Sequence, residues 1–230
     1  MSWIRRRPLT ALAAFALALR VACVIVTEHA PIFPAYYYTD ANFVHDAAAQ
    51  ALNDLASGND PQISGALSER IQTALTLRVY RVFGPRPMAI KLLNALMGAL
   101  GVAALAWALS LIFPFPVALA AGAAVAVWPS HVFYTSQNLK EAPADLLAYL
   151  ALGAGLAAAG ASASARARLG ALAALVACLL AAGFYRPATL LSLSFGLLLA
   201  YALAAFDRPL RLRSLLGAAA VCAAITAYPW

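Results

Sequence analysis

The stretch PLTALAAFALALRVACVIV, residues 8–26, decides the class of fold. It holds one charge, Arg20, in an otherwise apolar run. About 20 such residues are what an α-helix needs to cross the ~30 Å hydrocarbon layer of a bilayer. In lipid the backbone must satisfy its own hydrogen bonds, so helix is the default conformation. Upstream, Arg5, Arg6 and Arg7 imitate the start of a signal peptide. No small-x-small cleavage site closes the run, and Thr27, Glu28 and His29 follow it, so an uncleaved first span is expected.

Further apolar runs follow at about 88–113, 117–132, 142–159, 169–184, 188–206 and 215 to the end, rich in Ala and Leu, which are good helix formers. The whole chain of 230 residues is 64% hydrophobic and 11% charged, with a mean hydropathy of +0.80. A soluble domain is about 45–50% apolar and about 25% charged. The expected fold is therefore an all-α polytopic bundle of about seven spans, forming one transmembrane module over 1–230. Abundant small residues, such as Gly98, Gly101, Gly122, Gly153 and Gly155, suit close helix packing. The net charge of +7 lies mainly in short loops, which argues against a nucleic-acid partner. Cys23, Cys178 and Cys222 lie inside apolar runs without metal-ligand spacing, and His29, His45 and His131 are scattered.

Lys and Arg placement sets the orientation. With the N-terminus in the cytoplasm, the inner segments hold Arg5, Arg6, Arg7, Arg166, Arg168, Arg208, Arg211 and Arg213 against the single acid Asp207. The long segment 27–87 then lies outside, with four Arg against six acids. Two helices are expected in it. Ala47, Ala48, Ala51, Leu52 and Leu55 have helical spacing before Gly58. Ile63, Leu67, Ile71, Leu75, Val79 and Phe83 recur every four residues, which suits an amphipathic helix lying on the membrane surface. Ser136–Glu141 and Tyr185-Arg186-Pro187 are expected as short outer connections.

Charged residues within or at the ends of spans are costly and often functional. Asp40 follows Tyr36-Tyr37-Tyr38, which is most simply an aromatic interface belt. A carboxylate there can serve as general base or cap the following helix. Asp46, in the same loop, is its rival. Glu141, opening a later span, either complements the helix dipole or meets an acceptor or a divalent cation. Lys140 either snorkels or meets a lipid phosphate. The forked donors of Arg186 suit a phosphate or anchor a headgroup. Arg20 has no adjacent acid, and either snorkels outward or reaches a lipid phosphate. No Walker loop, GxSxG or HExxH is present.

Several strings resemble the GT-C superfamily of membrane glycosyltransferases, of the protein O-mannosyltransferase and aminoarabinose transferase type (family thirty-nine-like). They are Thr39-Asp40 with Phe43, Val82-Phe83-Gly84 with Lys91 to Asn94, the corner Trp128 to Thr135 with Leu139-Lys140-Glu141, and Gly183 to Pro187. With the topology, the resemblance covers most of residues 12 to 230. It implies an inverting transfer of a sugar from a polyprenyl-phosphate donor to an acceptor lipid, glycan or protein outside the cytoplasm. Asp40 would be the general base and Glu141 would position the acceptor or a divalent metal ion, with Asp40 and Glu141 the candidate ligands. Lys140 and Arg186, with Arg20, would hold the lipid phosphate. The Ala- and Arg-rich composition points to a bacterium, hence its inner membrane. Members usually have more spans, and a Pro-Trp there is commonly followed by Arg-Asn. This chain stops at Tyr228-Pro229-Trp230, so a truncated module is expected. The alternative function is a non-catalytic lipid-phosphate-binding module, transporter fragment or assembly partner.

Overall fold

The computed structural model describes residues 7–30, 38–160, 164–206 and 212–227. Arg5, Arg6, Tyr36, Tyr37, Asp207, Arg208, Arg211 and Tyr228-Pro229-Trp230 lie outside these residues. Ten helices follow in order: α1 Pro8–His29, α2 Thr39–Ala56, α3 Leu67–Phe83, α4 Pro87–Ser110, α5 Phe115–Val127, α6 Pro129–Tyr134, α7 Glu141–Ala159, α8 Ala165–Tyr185, α9 Pro187–Phe206 and α10 Leu212–Ala227. The described residues contain no strand.

Prolines set many of the starts. α1, α4, α6 and α9 open on Pro8, Pro87, Pro129 and Pro187. There the missing N–H costs nothing and the fixed φ suits the first turn. Ser164 caps α8, its Oγ accepting from the Ala167 N–H at 3.2 Å. Gly84, at φ 77°, ends α3 in a conformation that L side chains rarely adopt.

Among the described residues, four helices are long and apolar enough to cross a membrane: α1, α4, α7 and α8, with 22, 24, 19 and 21 residues. The stretches Pro187–Ala202 and Leu216–Ala227 are apolar but shorter. The expected run 117–132 is not one helix. Pro129 lacks an N–H and restricts Trp128 to extended backbone, so the run breaks into α5 and α6. The 13 residues of α5 reach only about 20 Å.

The central helix α4 packs against α1, α3, α5 and α7, and α7 packs against α8. One apolar cluster joins α1, α4 and α5 through Leu12, Ala16, Ala99, Val102, Ala106 and Ala126. Another joins α7 to α8, α9 and α10 around Leu175, Leu179, Leu190 and Val221. Small residues let these helices meet closely. The ring of Trp107 covers Gly153, and a Cβ there would sit 2.1 Å from it. Phe15, Leu96, Leu100 and Phe195 are exposed on the outside of the bundle, where a bilayer would cover them.

Residues 38–87 hold α2 and α3, and the face that α3 turns inward is not its apolar stripe. Gln72, Thr73, Thr76, Leu77 and Tyr80 are buried, while Leu67, Val82 and Phe83 are exposed and Ile71, Leu75 and Val79 are half-buried. The apolar stripe lies on the flank because polar anchors, described next, hold the opposite face. In the connection before α7, Ser136, Gln137 and Asn138 are at most 1% exposed, as is Thr135 before them, so this connection is an interior segment.

Candidate functional site

The interior segment organises the polar side chains. Its backbone is irregular, so each carbonyl and amide needs a partner inside the protein. Asn94 of α4 donates from Nδ2 to the carbonyls of Gln137, at 2.5 Å, and Leu139, at 3.0 Å. From α3, Gln72 Nε2 and Thr76 Oγ1 donate to Asn138 Oδ1 at 3.0 and 3.1 Å. Gln137 Nε2 donates to Thr27 Oγ1 of α1 at 3.2 Å. These bonds turn the Gln72–Thr76 face of α3 toward the bundle and fix the start of α7.

That start carries Lys140 and Glu141. Asp40, Phe43, Val44, Glu69, Gln72, Leu139, Lys140 and Glu141 line one narrow cleft of about 40 Å³ between α2, α3 and α7. Arg186, between α8 and α9, reaches the same place: its Nη1 lies 3.6 Å from Glu141 Oε1. Its side chain is half-exposed. Glu141 Oε2 is buried and has no hydrogen-bond partner among the described residues. Lys140 Nζ donates to Ser68 Oγ at 3.3 Å. Four expected site residues, Asp40, Glu141, Lys140 and Arg186, thus converge from three distant parts of the chain.

Asp40 is exposed in the first turn of α2, whose N-cap is Tyr38. It complements the helix dipole without capping it. Tyr38 is buried edge-on against Phe133, with ring centroids 5.8 Å apart, and is not part of an interface belt. Asp46 does not line the cleft. Six residues along a helix turn a side chain about 120° away. Asp46 instead stands near Tyr80, which α3 buries. Burial, with the charges of Glu28 and Asp46, pushes that phenol up to about 12. Its Oη lies 2.7 Å from His45 Nδ1. Among the described residues, no group of three His, Cys, Asp or Glu side chains is placed to hold a metal ion.

Arg20 belongs to a separate centre, contrary to expectation. It neither snorkels nor joins the cleft, and it is 0% exposed. Nε donates to Thr135 Oγ1 at 2.9 Å and Nη1 to the Ala16 carbonyl at 3.0 Å. Nη2 lies 2.7 Å from His131 Nδ1. A guanidinium only donates, so Nδ1 accepts and the ring proton sits on Nε2. Nε2 is 3.4 Å from Asp145 Oδ2. The acid missing beside Arg20 in the sequence therefore exists, one imidazole away. Gly98 makes the room: a Cβ there would lie 2.6 Å from Thr135 Cβ and 2.8 Å from Arg20 Nε.

Sequence reasoning missed His131, Thr135 and Asp145. One signal was available, since Asp145 is an acid inside a span four residues after Glu141, on the same helix face. Compared with family models, with curated proteins and with solved structures, the chain matches none.

Proposed function

We propose that the chain transfers a sugar from a polyprenyl-phosphate-linked donor to an acceptor on the extracytoplasmic side of the membrane, with inversion. The observation that carries this reading is the convergence of Asp40, Lys140 and Glu141 on one cleft, with Arg186 paired to Glu141. In this reading Asp40 takes the proton of the attacking acceptor group. The new bond forms at the anomeric carbon as the bond from that carbon to the phosphate oxygen breaks, and the lipid phosphate leaves with the electron pair. Lys140 and Arg186 stabilise the charge that develops on it. The unpartnered Glu141 Oε2 is available to the acceptor. Asp40 and Glu141 are the candidate ligands for a divalent ion in this reading, and no step passes through one.

About seven spans, a cytoplasmic N-terminus, a bacterial inner membrane, and α2 and α3 lying at the outer surface complete the proposal. The uncovered Leu67, Val82 and Phe83 on α3 support contact with lipid. A second reading, a non-catalytic lipid-phosphate-binding module, transporter fragment or assembly partner, uses the same basic pair, Lys140 and Arg186, without a transfer step.

The test is sugar transfer from radiolabelled polyprenyl-phosphate sugars in membranes expressing this chain, comparing wild type with Asp40→Asn. Transfer that Asp40→Asn abolishes, with insertion intact, supports the enzyme and its base. Lipid-phosphate binding without transfer favours the second reading. Loss of both sinks the proposal.

A further inference from the structure

α2 separates two polar spaces. Asp40, Phe43 and Val44 face the charged cleft. Ala41, Asn42 and His45 face a second cavity of about 220 Å³, completed by Glu28, Tyr38, Lys91, Gln137 and Asn138. Three of its lining side chains carry a buried polar atom with no hydrogen-bond partner among the described residues: Tyr38 Oη, Gln137 Oε1 and Asn138 Nδ2. All three residues are at least nine-tenths buried. Gln137 and Asn138 are held from behind by Thr27, Gln72 and Thr76. They cannot turn to find other partners without breaking those bonds.

Leaving such a group unsatisfied costs about 1–3 kcal/mol, and three of the residues that line one cavity carry such a group. The set is mixed. Asn138 Nδ2 donates, Gln137 Oε1 accepts, and the Tyr38 hydroxyl does either. The charges are already matched: Lys91 Nζ and Glu28 Oε2 are 2.7 Å apart. The wall therefore offers no free cation to a phosphate and no free carboxylate to an amine. A ligand with several hydroxyls, each donor and acceptor, matches this wall.

We infer that the cavity between α2 and the Gln137-Asn138 segment is a binding site for a neutral polyhydroxylated ligand of the monosaccharide class. It stands on this cavity alone and holds whether or not the charged cleft transfers a sugar.

The experiment uses the full chain in phospholipid nanodiscs, free of sugar-headed detergent. Methyl α-glucoside, methyl α-mannoside and methyl α-galactoside are the probes, read by saturation-transfer NMR. Tyr38→Phe removes one hydroxyl and keeps the ring, and Asn42→Trp places a bulky side chain at the cavity from an exposed helix position. The expected result is saturation transfer to at least one glycoside. Binding should weaken by about two- to tenfold in Tyr38→Phe, the worth of one neutral hydrogen bond, and be lost in Asn42→Trp. No transfer to any of the three would mean that the cavity holds only water, and would overturn the inference. So would binding unchanged in both variants, or binding lost in Asp40→Asn and kept in Tyr38→Phe, which would put the sugar in the charged cleft. Tenfold tighter binding of glucose 1-phosphate would overturn the neutral class.

Discussion

Arg20 and Arg186 are the same side chain in two opposite settings. Arg20 is fully buried, and each of its three nitrogens has a partner within 3.0 Å. Arg186 is half-exposed, and its one ion pair is 3.6 Å long. The acids are placed differently. Asp145 stands 3.4 Å from His131 Nε2 at the buried centre, a nitrogen that has no hydrogen bond among the described residues, while Glu141 faces the half-exposed Arg186 and keeps one oxygen buried and unpartnered. Only one turn of α7 separates these two acids. A buried, saturated guanidinium is committed to holding the structure, since removing any partner strands the others. A half-exposed, under-satisfied one can exchange its partner for a ligand. Charge within an apolar chain therefore marks function only where the protein leaves it incompletely satisfied.

The largest expected effect comes from breaking the saturated centre. Arg20→Ala strands Thr135 and His131, and should cost about 3 kcal/mol or more, because several buried hydrogen bonds from a charged donor are lost together. Thermal unfolding in detergent measures it. A loss below about 1 kcal/mol would mean that the centre does not hold the bundle together. Gly98→Ala attacks the same place without touching a polar atom. Its Cβ must displace Thr135 and Arg20, and overpacking of this kind costs about 1–3 kcal/mol. Gly170→Ala is the control. Nothing lies within 4 Å of that position, so a midpoint unchanged or slightly raised is expected. Equal losses in the two variants would sink the steric account.

Thr135→Val comes next. It keeps the shape and removes the acceptor of Arg20 Nε. A hydrogen bond to a charged group is worth about 1.5–3 kcal/mol, and membrane interiors tend to lower such figures, so about 1.5 kcal/mol is expected. Combining it with Arg20→Ala should add much less than the two single losses together, because both remove one bond.

The two regions were not equally legible. The charged cleft was, because Asp40, Lys140, Glu141 and Arg186 each stand at an element end, and the Lys and Arg bias grouped those ends before any contact was known. The helices were legible too, since apolar runs closed by Pro or Gly leave few alternatives in lipid. The buried centre was not. Arg20 meets Thr135 and His131 across separations of 115 and 111 residues, and no local pattern encodes such a pairing. The inward face of α3 was hidden for a related reason. A stripe from Leu67 to Phe83 marks the apolar side, but Gln72 and Thr76 are drawn in by Asn138, so specific hydrogen bonds override the periodicity. The break at Trp128-Pro129 was missed in the run 117–132, although Pro129 signals it, because proline cannot continue the ladder.

The smallest expected effect falls on the cleft, and it sharpens the contrast most. A double-mutant cycle of Glu141→Gln and Arg186→Gln isolates their coupling. Arg186 is 51% exposed in its side chain and its contact is long, so solvent screens the pair. Exposed pairs are worth about 0.2–1 kcal/mol, and the coupling in thermal unfolding should be at most about 0.5 kcal/mol. Glu141→Gln alone should leave the midpoint nearly unchanged, since it replaces an already under-satisfied carboxylate with a neutral amide of the same shape. Lipid-phosphate binding should respond differently. Arg186→Gln removes a donor that the phosphate would use and should weaken binding by about tenfold, the scale of one charge-assisted hydrogen bond. Glu141→Gln frees Arg186 from its ion-pair partner and should leave binding equal or tighter. A coupling of about 3 kcal/mol would instead make Arg186 a structural residue like Arg20. The distinction between a committed and an available guanidinium would then fail on the residue that defines it.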